Sequence, residues 1–234
     1  MNAGLSADAV CVERRSRDTA TGAPPFAWPG WPHMRLTMWY SLLISVLFAA
    51  IFGGTNTISR LHTFRVDLTI PADSLVPFVP AATVIYSSLY VMFWLVPFVL
   101  RTADQIRALA QVIAFEILIA APFFIVLPMP ERVMPADLGR FGDAFRFADW
   151  INLQHNQFPS LHATFALTAG AVLALRCRWP ARLAIASWSL AIAAATLLTW
   201  QHVIVDVAGA FMLTAVALSR SPVLTDVSSN EVQS

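Results

Sequence analysis

The chain has 234 residues, 57% of them hydrophobic and 12% charged, with a formal net charge of +1. Soluble domains carry about 25% charged residues, so this composition excludes an ordinary water-soluble globule and points to a multi-span membrane protein. All 15 basic residues are Arg, there is no Gly-rich phosphate loop or nucleic-acid signature, and Cys11 and Cys177 fit neither a disulfide framework nor a metal pattern.

Residues 1–34 are polar, contain several Pro and Gly, and lack the apolar core of a signal peptide. They predict a tail whose Trp28 and Trp31, with Trp39 just beyond, rest at the membrane interface, where amphipathic rings are favoured. A membrane span needs about 20 apolar residues. Apolar runs, the first two of them free of charge, predict six spans, at about 37–59, 79–100, 108–127, 160–176, 183–200 and 202–218. Pro77 and Pro80 mark the entry to the second, and Pro128 and Pro130 end the third. The loop 128–159 holds Arg132, Arg140, Arg146, His155 and four acidic residues. The expected fold is therefore an all-α polytopic membrane bundle of about six helices. It divides into a polar tail (1–34), one membrane domain (35–220) and a second polar tail (221–234).

Six spans put both termini on one side, and basic residues collect on the cytoplasmic side. With the termini inside, only Arg60, Arg65, Arg132, Arg140 and Arg146 of the 15 Arg fall outside. The expectation is cytoplasmic termini in a membrane of the bacterial inner-membrane type. Three of the external Arg share the loop before span four. A basic cluster there, beside histidines that open spans four and six, predicts an anion site facing the periplasm or exterior.

Two stretches carry that site. Phe158-Pro159-Ser160-Leu161-His162 contains Pro-Ser-x-His at the start of span four, and His202-Val203-Ile204-Val205-Asp206 is His-x-x-x-Asp at the start of span six. In this order and spacing the two resemble the second and third signature motifs of the type 2 phosphatidic acid phosphatase superfamily. Its members are membrane lipid phosphatases and phosphotransferases that work through a phosphohistidine without a metal. The superfamily's first motif begins with Lys and ends in Arg-Pro; here the rough counterpart is Glu131-Arg132-Val133-Met134-Pro135. Ala195-Thr196 stand where the third motif has Ser-Arg before its His. That Arg is also missing in the branch of inositol phosphorylceramide and sphingomyelin synthases, so the resemblance leaves hydrolysis and head-group transfer both open.

The residues suit the chemistry that this resemblance implies. Asp206, four residues after His202, shares its helix face and can fix the imidazole tautomer as a triad carboxylate does. His202 is the expected nucleophile. His162 is the expected general acid, because its charge changes near neutral pH. It also stands in a first helical turn, whose free N–H groups favour phosphate oxygens. Ser160 is the expected N-cap and a possible phosphate donor. Arg132 is the best-placed guanidinium for the equatorial oxygens, with Arg140 next and Arg146 weaker. No metal site and no cofactor are expected, and the partners are a lipid phosphate substrate and membrane lipids, not nucleic acid. Glu116, mid-span in the third helix, reads as a locally paired carboxyl of the bundle. The competing readings are a membrane haem protein with His162 and His202 as axial ligands and a transporter or inactive relative that keeps the fold.

Overall fold

The computed structural model describes residues 28–226 except 62, 133, 136, 137 and 154. The remainder of the two expected tails, 1–27 and 227–234, lies outside the described residues. The described chain is helical: α1 (Trp31–Arg60), a short 3-10 turn (Pro71–Leu75), α2 (Ala82–Ser87), α3 (Leu89–Val99), α4 (Ala103–Val126), a second 3-10 turn (Gly139–Phe141), α5 (Gly142–Asn152), α6 (Leu161–Leu175), α7 (Trp179–Leu198), α8 (Ile204–Ser219) and α9 (Pro222–Thr225). Four helical stretches are long and apolar enough to cross a membrane: α1, α2 with α3 (Ala82–Val99), α4 and α7. The chain is a helical membrane protein.

The helices begin and end where local chemistry dictates. Pro32 occupies the first turn of α1, where its missing N–H costs nothing, and Gly30 precedes it at φ 87°, a conformation that favours glycine. Thr102 and Gln105 form a capping box at α4. This helix thus starts at Ala103, and α7 starts at Trp179. Both begin earlier than the expected 108 and 183, because a charge-free criterion discards first turns that carry Asp104 and Arg107, or Arg182. The N-terminal tail likewise ends sooner than expected, with α1 beginning at Trp31 rather than after residue 34. At the other end, α9 is docked: Arg176 donates to the carbonyls of Leu224 (2.9 Å) and Val223 (3.0 Å). The expected span two is two helices meeting at Ser88, whose Oγ donates to Ile85 O at 2.5 Å and accepts from Trp188 Nε1 at 2.7 Å.

Spans four and six are shorter than a full crossing. α6 has 15 residues and α8 has 16, about 23 Å of helix each at 1.5 Å per residue. Each is preceded by a folded polar turn. The loop 128–159 also contains a helix that the charge count hides. α5 buries Phe145 and Ala148, three residues apart on one face, and Phe145 meets Phe78 edge to face.

The core lies between α4, α6, α7 and α8, with α1 packed along α4 and α3 along α6. α6 and α7 approach closely at Gly170, where a Cβ would stand 2.3 Å from the Cβ of Ser189; small residues permit such approach between membrane helices. Polar groups inside the bundle find one another. Thr168 Oγ1 donates to Glu116 Oε1 in a short hydrogen bond, and Thr214 Oγ1 donates to Thr164 O at 3.3 Å, joining α4, α6 and α8.

At one end of the bundle three connections interlock. Val66 N donates to Pro128 O (2.9 Å), Val79 N to Leu198 O (2.7 Å), and Trp200 Nε1 to Val76 O (3.1 Å). The loop's two ends pair through Met129 N to His155 O and His155 Nδ1 with Met129 O. This capped end carries the two motif stretches.

Candidate active site

The Pro-Ser-x-His turn is built from the helix end it opens. Ser160 accepts from Ala163 N at 3.3 Å, so the expected N-cap is in place, and Thr164 Oγ1 returns a bond to Ser160 O at 2.7 Å. Ser160 is fully buried, and its own N–H donates to Asp206 O at 3.2 Å. That single backbone bond ties the two motif stretches together. Gly209 lets them meet: a Cβ there would stand 2.7 Å from the Phe158 ring and 3.1 Å from Pro159 Cβ.

His202 is held from both sides. Its N–H donates to Thr196 O at 3.1 Å, and its Nδ1 lies 3.2 Å from Asp206 Oδ2. The same carboxylate oxygen accepts from Val203 N at 3.0 Å, capping the first turn of α8. Asp206 is fully buried, so its charge needs such partners. With Nδ1–H pointed at the carboxylate, the lone pair sits on Nε2, and among the described residues nothing hydrogen-bonds that atom. This is the geometry of an oriented imidazole with one free nucleophilic nitrogen.

Arg132 completes the cluster. Its Nη2 lies 4.0 Å from Asp206 Oδ2 and its Nε donates to Gln157 Oε1 at 3.0 Å. Burial pushes its pKa down, while Asp206, Asp73 and Asp67 pull it back up; a guanidinium stays cationic at neutral pH in any case. The other two loop arginines are elsewhere. Arg140 is exposed and lies over the ring of its neighbour Phe141, and Arg146 is exposed and pairs with Asp143 at 2.6 Å. Arg140 was expected beside the phosphate, and the structure does not bring it there: it sits in the turn that opens α5, a surface helix.

His162 meets a partner that sequence does not indicate. Its ring stacks on Tyr86 with centroids 3.6 Å apart and planes 10° from parallel, and Nε2 lies 2.8 Å from Tyr86 O. Nε2–H therefore donates to a carbonyl, and Nδ1 is the nitrogen left for proton transfer. An Nε2 held in this way does not favour axial ligation of an iron through that atom. Among the described residues no group of three or more His, Cys, Asp and Glu could hold a metal ion.

Two cavities meet at this cluster. The larger, about 870 Å³, has His162, His202, Arg132, Asn156, Gln157 and Gln201 at one end and runs between α1 and α3 over apolar side chains. The smaller, about 600 Å³, lies on the capped end and is lined by Asp67, Thr69, Asp73 and Ser74. His202 and Arg132 line both. Asp73 also accepts from Ile204 N at 2.8 Å through Oδ1 and from Ile70 N at 2.8 Å through Oδ2, so it joins the 3-10 turn to the start of α8. Asp67 accepts from Thr69, which lowers its pKa, with Arg132 adding to the effect.

Sequence reasoning missed Tyr86, Asp73, Gln157, Asn156 and Gln201. Gln157 and Asn156 lie within six residues of His162, and a polar run just before Pro-Ser-x-His is the signal that could have found them. Tyr86 and Asp73 arrive through tertiary contact and leave no local signal. Comparison with protein-family models, with curated proteins and with solved structures gives no match.

Proposed function

We propose that the chain is an integral-membrane lipid phosphate phosphatase of the type 2 phosphatidic acid phosphatase kind, acting through a phosphohistidine on the non-cytoplasmic face. The observation that carries this reading is the His202–Asp206 pair, at 3.2 Å, with the free Nε2 facing a cavity shared by Arg132 and His162. The phosphate sits between Arg132 and the first turn of α6, and the apolar cavity holds the lipid.

The steps balance with these residues alone. His202 Nε2 attacks phosphorus as the bond to the lipid oxygen breaks, and protonated His162 gives its Nδ1 proton to the leaving alkoxide. Asp206 stabilises the imidazolium that forms. Water then attacks the phosphohistidine, His162 takes a proton from it, and inorganic phosphate leaves with His202 restored. Arg132 meets the charge on the non-bridging oxygens. Phosphate release from phosphatidic acid and from undecaprenyl pyrophosphate, in detergent with EDTA, tests the reading. Release that persists with EDTA and is lost in His202→Ala supports it; undiminished release from His202→Ala contradicts it.

The outer cavity favours a second reading, head-group transfer. A phosphodiester's head group would stay on phosphorus in the cavity lined by Asp67, Asp73, Thr69 and Ser74, while one lipid alcohol leaves and another attacks from the apolar side. The carboxylates suit a hydroxylated or amine-bearing group and repel an anionic one. A new phospholipid formed when diacylglycerol or ceramide is supplied to the protein with a phosphodiester donor marks this reading.

A further inference from the structure

The larger cavity does not end below the histidines. Its α1 wall is one helix face, Met34, Thr37, Ser41, Ile44, Phe48 and Phe52, spaced by three or four residues. Eighteen residues of helix separate its ends, about 27 Å at 1.5 Å per residue. Phe52 is level with the site, because its carbonyl accepts from Asn156 Nδ2 at 2.6 Å. The far end is lined by Trp28, Phe98 and Ile106, with the Trp28 and Phe98 rings 6.4 Å apart. The hydrocarbon core of a bilayer is about 30 Å thick, so one leaflet gives about half of that. The groove is nearly as deep as the whole core.

Just below His162 three aromatic rings line the groove. The Phe165 ring meets Phe48 of α1 at 6.2 Å and Phe93 of α3 at 6.4 Å between centroids. Rings crowded in this way suit one chain rather than a pair. Deeper still, α1 packs along α4 and barely meets α3, which leaves the slot that the chain would fill.

We propose that this groove binds a single extended hydrocarbon chain long enough to pass the bilayer midplane, with its phosphate at His202 and Arg132 and its tail end near Trp28. The occupant follows from continuity: the cationic end of the cavity takes an anionic head, and the apolar groove that runs on from it takes what is attached. The catalytic part of this inference rests on the phosphatase reading; the binding part does not.

The test uses the full chain in detergent and single-chain alkyl monophosphates: decyl, hexadecyl and triacontyl. With wild type, kcat/KM rises along the series. Ser41→Trp, which plugs the groove midway, lowers the triacontyl-to-decyl ratio of kcat/KM by about ten-fold or more, since each buried methylene contributes about 0.8 kcal/mol. Leu43→Trp, at the same level but on the exposed outer face, leaves the ratio unchanged. A binding readout stands apart from turnover. Triacontyl phosphate brominated at its tail quenches a fluorescence component of the His202→Ala protein that Trp28→Phe removes; bromodecyl phosphate does not, and Ser41→Trp abolishes the quenching. Quenching without turnover in wild type would leave the groove standing and overturn the phosphatase reading. Turnover that ignores chain length, with no Trp28 quenching, overturns the groove.

Discussion

His202 and Asp206 are four residues apart, and their pairing is written into helical geometry at the start of α8. The pair makes specific demands on substitution. Asp206→Asn keeps the shape but offers an amide that no longer enforces Nδ1–H on His202 or stabilises its charge. Turnover should fall by about 10³-fold or more, with folding retained; a thermal melt beside the rate measurement separates the two. Arg132 makes a different demand. Arg132→Ala should lower kcat/KM by about 10²-fold or more, and Arg132→Lys should recover only part of that, because an ammonium lacks the guanidinium fork. Arg140→Ala, at an exposed turn, should leave kcat/KM within error of wild type. Equal losses in Arg132→Ala and Arg140→Ala would show that the phosphate is held elsewhere. At this scale the sequence is most legible where contact is local. The i,i+4 dyad and the Ser160 cap are readable because both lie within one helical turn. The stacking of His162 on Tyr86 is not, because 76 residues separate them.

The elements of the bundle are held together by small residues and buried polar bonds. Gly209 sits under the Phe158-Pro159 turn, and a methyl there would have to displace the ring or the proline. Gly209→Ala should destabilise the protein by about 1–3 kcal/mol, as overpacking does, and lower activity by shifting α8 against α6. Gly170→Ala meets Ser189 in the same way, but far from the histidines. It should lower the melting temperature with activity per folded molecule intact, and Ser189→Gly in the same chain should restore the melt. A Gly209→Ala protein with a wild-type melt and rate would mean that α8 and the turn do not pack as described. The existence of the long helices was legible from apolar runs, while the starts of α4 and α7 were not. Capping by Thr102 sets the start of α4, and first turns with charged residues lie beyond a hydrophobicity criterion. α5 was hidden for a related reason: an amphipathic helix carrying charge reads as loop when only apolar runs are counted.

Across the whole molecule, three connections far apart in sequence gather at one end of a helical bundle and bring two histidines, a carboxylate and one guanidinium to the junction of two cavities. The alternation of spans made the gathering legible, since His162, His202 and Arg132 fall at the same end of any six-crossing bundle. The cavities themselves were not legible, because they depend on how far α1 stands from α3. Glu116 belongs to the scaffold. Its bond from Thr168 joins α4 to α6, so Glu116→Gln should keep the acceptor and the fold, while Glu116→Leu should lower the melting temperature by removing it and leaving Thr168 without that partner. Loss of turnover in Glu116→Gln with an unchanged melt would instead place Glu116 in the chemistry.

The central claim is that a phosphoryl group passes through His202. The most direct measurement is to quench the purified protein during turnover of a labelled lipid phosphate and map the label by peptide sequencing under alkaline conditions. The account predicts an acid-labile, base-stable label on the peptide that carries His202, absent from His202→Ala. Steady phosphate release with no label on that peptide, or with the label on another side chain, would contradict it.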